Sequence, residues 1–351
     1  MVDEIRQVYQ MLEDEQSKEI YLARLNYLVS GDFKFLRTII EKYMPQLPVW
    51  NGLTPFGFIH SLPKDRKIIL YGAGQDAKNY LPYWEKDERF IGFCDRDIEK
   101  QRSGWCTYPV IGPEDLLQLE NINVVISTSN GEQEIKKFLG QSNFPADRVF
   151  SMPVITYVAE SGQYFNPEFM TFEKEEVFVD AGCFDLGTSL ELTRYCHKLK
   201  KVFAFELDPQ NYDVCLKRKS EFKDTVIELF PCGTWSESKT LHFNSLRDSS
   251  RICEDGDSSI NVITIDEAIA NKDRITFIKM DVEGSELESL KGAKNTILKD
   301  KPKLAICIYH KLEDIVEIPM YIKELVPEYK LYVRHHSNFY GETVLYAVMP
   351  N

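Results

Sequence analysis

Three short apolar runs in the C-terminal half of this chain each end on a carboxylate: Val177-Phe-Val-Asp180, Val202-Phe-Ala-Phe-Glu206 and Phe277-Ile-Lys-Met-Asp281. Short apolar runs rich in Val, Ile and Phe, separated by helical patterns, read as buried strands. Strands alternating with helices fold into a mainly parallel sheet covered on both faces. Ligands of such sheets bind beyond the carboxyl ends of the strands, which is where all three acids stand.

The same alternation occurs earlier. Lys67-Ile-Ile-Leu-Tyr71, Phe90-Ile-Gly-Phe-Cys94 and Asn123-Val-Val-Ile-Ser127 read as strands, with helices over Lys78–Trp84 and Pro113–Leu119. The fold class is therefore α/β, with two Rossmann-like units preceded by N-terminal helices. We divide the chain into a helical segment (1–50), a small α/β unit (60–150), a connector (151–171) and a larger α/β unit (172–351). The larger one finishes with Tyr329-Lys-Leu-Tyr-Val333 and Thr343-Val-Leu-Tyr-Ala347, whose short connection predicts an antiparallel pair. Residues 1–45 repeat apolar positions at helical spacing. They suit either a cap over the next unit or a docking element.

Of 351 residues, 43% are hydrophobic and 28% charged, enough for real cores. A net charge of −13 argues against a nucleic-acid or anionic-membrane surface. The eight cysteines have neither CxxC nor Cys/His metal spacing and read as buried reduced thiols. With no signal-like apolar segment and no membrane span, a cytoplasmic protein is expected.

Around the first acid, Asp180-Ala-Gly182-Cys-Phe-Asp185-Leu-Gly187-Thr-Ser189 places a glycine turn and a helix cap after a strand. Glu206 follows 24 residues after Gly182, at the tip of the next strand, where a carboxylate accepts hydrogen bonds from both hydroxyls of a ribose. Asp281-Val-Glu283-Gly284 puts two carboxylates at one strand tip. They call for a cationic partner, such as a sulfonium ion, or serve as helix-capping acids.

Taken in order, these elements resemble the FkbM family of methyltransferases over 172–351, most specifically at Asp281-Val-Glu-Gly284. The resemblance implies a class I methyltransferase sheet, S-adenosylmethionine as donor, and O-methylation of sugars or other natural-product hydroxyls. It also implies that Asp180 and Gly182 lie along the methionine part of the cofactor and that Glu206 grips its ribose. Cys232 and Gly233 would flank the adenine, and Asp281 the methyl-donating end. Two positions depart from the family: Leu186 stands where its second glycine falls, and Ile308 where many members carry a glutamate.

Methyl transfer to an alcohol needs alignment and a base. His310 is the first candidate base and Glu283 the second, while Tyr309 orients the acceptor or shields the cation. No metal is assigned from spacing; a divalent ion shared by Asp281, Glu283 and His310 is considered and set aside.

In the small unit, Gly72-Ala-Gly74-Gln-Asp-Ala77 fits a dinucleotide fingerprint, with Asp95 as its ribose acid. Residues 67–130 resemble the N-terminal domain of PglD-like sugar O-acyltransferases, which implies a nucleotide-sugar site at Gly72, Gly74 and Asp95; a plain scaffold is the alternative. Two other functions stay open: a nicotinamide-dependent sugar oxidoreductase, and a non-catalytic protein binding S-adenosylmethionine or glycans. The leading reading is a glycan-directed O-methyltransferase.

Overall fold

The computed structural model describes residues 2–47, 55–128, 131–152, 158–244, 251–252, 258–269 and 273–350. It divides into two compact units, Trp50–Thr156 and Met1–Val49 together with Tyr157–Asn351. Among the described residues no helix is long and apolar enough to cross a membrane, and every described cysteine is free. Cys253 lies outside the described residues, as do Pro48 and residues 153–157 of the predicted connector.

The inserted unit holds five parallel strands, β1 (Lys67–Tyr71), β2 (Phe90–Cys94), β3 (Val110–Ile111), β4 (Ile122–Ile126) and β5 (Val149–Ser151), in the order β3-β2-β1-β4-β5. The sequence reading anticipated three of them. The other two are two and three residues long, too short to show a period. All five positions of β4 are buried, as expected of a strand covered on both faces.

In the larger unit the strands are β6 (Glu176–Ala181), β7 (Leu199–Phe205), β8 (Val226–Phe230), β9 (Gly233–Thr234), β10 (Lys239–Asn244), β11 (Arg251–Ile252), β12 (Ser258–Ile263), β13 (Phe277–Met280), β14 (Lys303–Cys307), β15 (Lys330–His335) and β16 (Thr343–Val348). The main sheet runs β15-β16-β14-β13-β6-β7-β8, with β9 to β12 in a separate four-stranded sheet. Among the seven strands β16 pairs antiparallel with both β14 and β15, so the sheet does end in the expected antiparallel pair.

Alternation along β6 sends Val177, Val179 and Ala181 into one core. Phe178 goes to the other, with Phe165, Phe277 and Tyr346. Each fully buried side chain of this size contributes roughly 1.5–3 kcal/mol.

Helices α1 (Val2–Met11), α2 (Glu15–Ser30) and α3 (Lys34–Tyr43) form where predicted. The Asp14 side chain caps α2 by accepting from Ser17 N–H, and Gly31 closes it at φ +68°. Their partner differs from the expected one. Val8, Leu12, Ile20, Leu36 and Ile40 pack into the core of the larger unit with Leu331 and Val333. The Glu13 N–H donates to Leu331 O at 3.0 Å, and Val333 N–H to Ser17 Oγ at 2.9 Å. Arg334, almost fully buried, pairs with Asp14 at 2.7 Å. Periodicity marks an apolar face but does not say which sheet receives it, and β15 lies more than 300 residues away in sequence.

Candidate functional site

Backbone bonds set three strand tips at one level. Asp281 N–H donates to Ala181 O, Gly182 N–H to Phe205 O, and Glu206 N–H to Phe230 O. Asp281, Gly182 and Glu206 therefore stand side by side along the carboxyl edge of β13, β6 and β7. The turn at Gly182 admits no other residue: at φ +75°, a Cβ would sit 1.8 Å from the Asp281 carbonyl oxygen.

The departure at Leu186 is resolved in the same loop. Leu186 itself adopts the left-handed conformation, φ +62°, which costs a residue with a Cβ about 1–2 kcal/mol. Its side chain offsets that cost by complete burial among Cys183, Leu192 and Cys215. Ile308 is likewise fully buried and belongs to the core.

The first of the three acids stands elsewhere. Asp180 lies beneath the edge, fully buried. Ser189 Oγ donates to its Oδ2 at 2.6 Å, and Lys279 Nζ stands 3.2 Å from Oδ1. Lys279 also donates to the carbonyl of Gly182 at 2.6 Å. Burial alone would favour the neutral amine, but Asp180 and Asp281 outweigh it and raise the Lys279 pKa above the ordinary lysine value. Asp180 thus braces the glycine turn through Lys279. The sequence reading missed Lys279, although a lysine within a buried strand requires a carboxylate partner, and Asp180 is its register partner.

Glu206 is a latch. Phe184 N–H donates to its Oε2 and Asp208 N–H to its Oε1, both at 2.8 Å. Each oxygen keeps a second lone pair for a ligand hydroxyl. Phe184 is 64% exposed beside it. Pro231 leads on to Cys232, half-buried, whose thiol burial pushes up to about 11, and to Gly233 at the start of β9.

On the other side of Gly182 a second group gathers. Tyr164 OH donates to Asp281 Oδ2 at 2.8 Å, and Tyr309 OH to Oδ1 at 3.4 Å. Burial raises both phenol pKa values, so both remain donors. Tyr164 comes from the connector, where no sequence period singled it out.

His310 Nε2 faces Asp281 Oδ1 at 3.5 Å and Glu283 Oε2 at 3.6 Å, and Nδ1 faces Glu286 Oε1 at 2.8 Å. Burial alone would lower the His310 pKa; the Glu286 bond and the three carboxylate charges reverse this and raise it. Glu283 is 90% exposed at φ +53°. Asp281, Glu283 and His310 thus form a set of donors able to meet a cation.

In the inserted unit, Gly72, Gly74 and Asp95 line a cavity of about 190 Å³ with Tyr71, Arg96 and Thr128. Asp95 is already engaged, accepting from Ala73 N–H at 2.7 Å and Asp97 N–H at 2.9 Å.

Comparison with known proteins finds a likeness in each of the two units. Residues 64–150 match the family described as C2185-like, N-terminal, where the sequence reading had drawn a PglD-like resemblance. The chain is 30% identical over 131 residues to the hexuronic acid methyltransferase AglP of Haloferax volcanii, a match covering 36% of this chain and 53% of that protein. It therefore spans about half the length of this curated relative. The crystal structure of methyltransferase FkbM from Methylobacillus flagellatus shares the fold, with a TM-score of 0.52 and 20% identity over 93% of this chain and 100% of that one. Over residues 184–329 the chain matches the family model for the methyltransferase FkbM domain.

Proposed function

We propose that this protein transfers the methyl group of S-adenosylmethionine to a hydroxyl oxygen of a saccharide or glycan-related acceptor. The observation that carries the reading is the row of Glu206, Gly182 and Asp281 on adjacent strand tips. The residues present fit the donor. Glu206 has lone pairs for two ribose hydroxyls, Gly182 keeps the turn free of a side chain, and Cys232 and Gly233 border the adenine side. Asp281 and the Tyr164 and Tyr309 rings suit a sulfonium beyond the glycine. When bound, S-adenosylmethionine supplies an electrophilic methyl carbon.

The protein's own groups align the acceptor oxygen and receive its proton. The pair His310 and Glu283 takes that proton at the exposed end of the cluster, and Glu286 fixes the imidazole ring. Tyr309 positions the acceptor. Positioning of this kind supplies roughly 7–11 kcal/mol of barrier reduction. A sugar acceptor is supported by the relative whose name specifies a hexuronic acid. The cavity at Gly72, Gly74 and Asp95 supports docking of a nucleotide-linked sugar on the inserted unit.

The test is a thermal-shift titration of the full chain with S-adenosylmethionine, S-adenosylhomocysteine, NAD and sugar nucleotides. A donor at 100 times its Kd stabilises by about 2.7 kcal/mol, and Glu206→Ala abolishes that response. A shift with NAD and none with S-adenosylmethionine overturns the reading.

A further inference from the structure

The contacts from His310 Nε2 to the two carboxylates beside it are slightly longer than hydrogen bonds. Nε2 lies 3.5 Å from Asp281 Oδ1 and 3.6 Å from Glu283 Oε2, and the donor atoms of all three residues fall within 4.8 Å of one another. Two ligands that each sit about 2.1 Å from one ion are roughly 3.0–3.4 Å apart. The observed spacing is close to that edge length.

The second observation concerns the far side of the ring. Nδ1 is 2.8 Å from Glu286 Oε1, close enough to favour the ring proton on that side although the contact lacks hydrogen-bond alignment. The Nε2 lone pair is then turned toward Asp281 and Glu283, so three acceptors face one point. Glu286 is fully buried, and its Oε1 also accepts from Val282 N–H at 2.9 Å. A fixed carboxylate behind the outer ring nitrogen is how metal-binding imidazoles are oriented. The buried ammonium of Lys279 is paired with Asp180.

We infer that Asp281, Glu283 and His310 bind a divalent cation of the Mn²⁺ class, with Glu286 as the residue that positions the imidazole. One imidazole nitrogen with two carboxylate oxygens suits that class. Three protein ligands leave coordination positions open for neighbouring hydroxyls of a sugar, whose acidity such an ion increases; with the ion bound, His310 and Glu283 serve as its ligands and the hydroxyl proton passes to solvent. This rests on reading the Asp281 edge as the acceptor end, so the test does not depend on turnover.

Chelator-treated full chain is titrated with Mn²⁺ alone, without methyl donor, and followed by electron paramagnetic resonance. Binding of one Mn²⁺ per chain with coupling to an imidazole nitrogen is expected. Glu283→Gln, at an exposed position that folding does not need, weakens binding at least tenfold, and Glu286→Gln weakens it 10–100-fold. His310→Gln removes the nitrogen coupling. No saturable binding, or binding equal in Glu283→Gln and the parent, overturns the inference. The S-adenosylmethionine thermal shift, run on the same metal-free sample, separates the two ideas: a retained shift without Mn²⁺ binding removes the cation site and leaves the methyltransferase reading standing.

Discussion

The two α/β units build their carboxyl edges with the same device and end with different chemistry. Asp95 accepts from Ala73 in the first glycine turn and from Asp97 two residues on; Glu206 accepts from Phe184 and Asp208 in the same way. Gly72 N–H donates to Cys94 O as Gly182 N–H donates to Phe205 O. The strand beyond the turn joins alike in each, through Ser127 N–H to Tyr71 O and Asp281 N–H to Ala181 O. At that last position the likeness stops. Ser127 turns its hydroxyl back to the carbonyls of Tyr71 and Gly72, while Asp281 faces outward to Tyr164, Tyr309 and His310. An acid after the second strand fastens a glycine turn. The groups proposed to react come from the strand across the switch point.

Four experiments press on this comparison. The largest effect is expected from Gly182→Ala, which drives a Cβ into the Asp281 carbonyl and destabilises the larger unit by more than about 4 kcal/mol; urea denaturation of the full chain reads it. Lys279→Met comes next. It leaves Asp180 buried without its cation and costs about 3–5 kcal/mol, with the donor-induced thermal shift lost as the glycine turn loosens. A loss below 1 kcal/mol would show that the lysine does not brace the turn.

The third concerns acid. His335 in β15 is fully buried, and burial, followed by the charge of Arg24, lowers its pKa to about 3. The unfolded imidazole titrates near 6.5, so between these values the unfolded chain holds the extra proton. Stability therefore falls as pH drops from about 6.5 toward 3, by about 1.4 kcal/mol per pH unit from this group. The slope should flatten in His335→Gln. The smallest effect is reserved for Gly74→Ala: nothing lies within 4 Å of the added Cβ, and at a helix N-cap the change stays near 1 kcal/mol or below. A collapse there, matching Gly182→Ala, would mean that the two turns are equivalent after all.

Much of this edge was legible in the sequence because the strand tips are local signals. An apolar run, a glycine and an acid each report their place within a few residues, and Glu206, Gly182 and Asp281 came together as expected. What was not legible depends on partners far apart in sequence. Asp180 looked like its fellow acids until the register set it opposite Lys279. Tyr164 reaches Asp281 across 117 positions from an aperiodic stretch. Helices α1 to α3 displayed an apolar face whose partner strand is one of the last in the chain. The left-handed backbone at Leu186 could not be foreseen either, since only tertiary burial makes it affordable.

The placement of α1 to α3 also has a consequence for how the molecule is made. A ribosome adding 5–20 residues per second emits α2 roughly 15–60 s before β15, given the separation of 316 positions between Ser17 and Val333. Through that interval the nascent helices carry an uncovered apolar flank, while the segment inserted between them and their sheet can already condense. Helices α1 to α3 therefore complete their packing only when the final strands emerge.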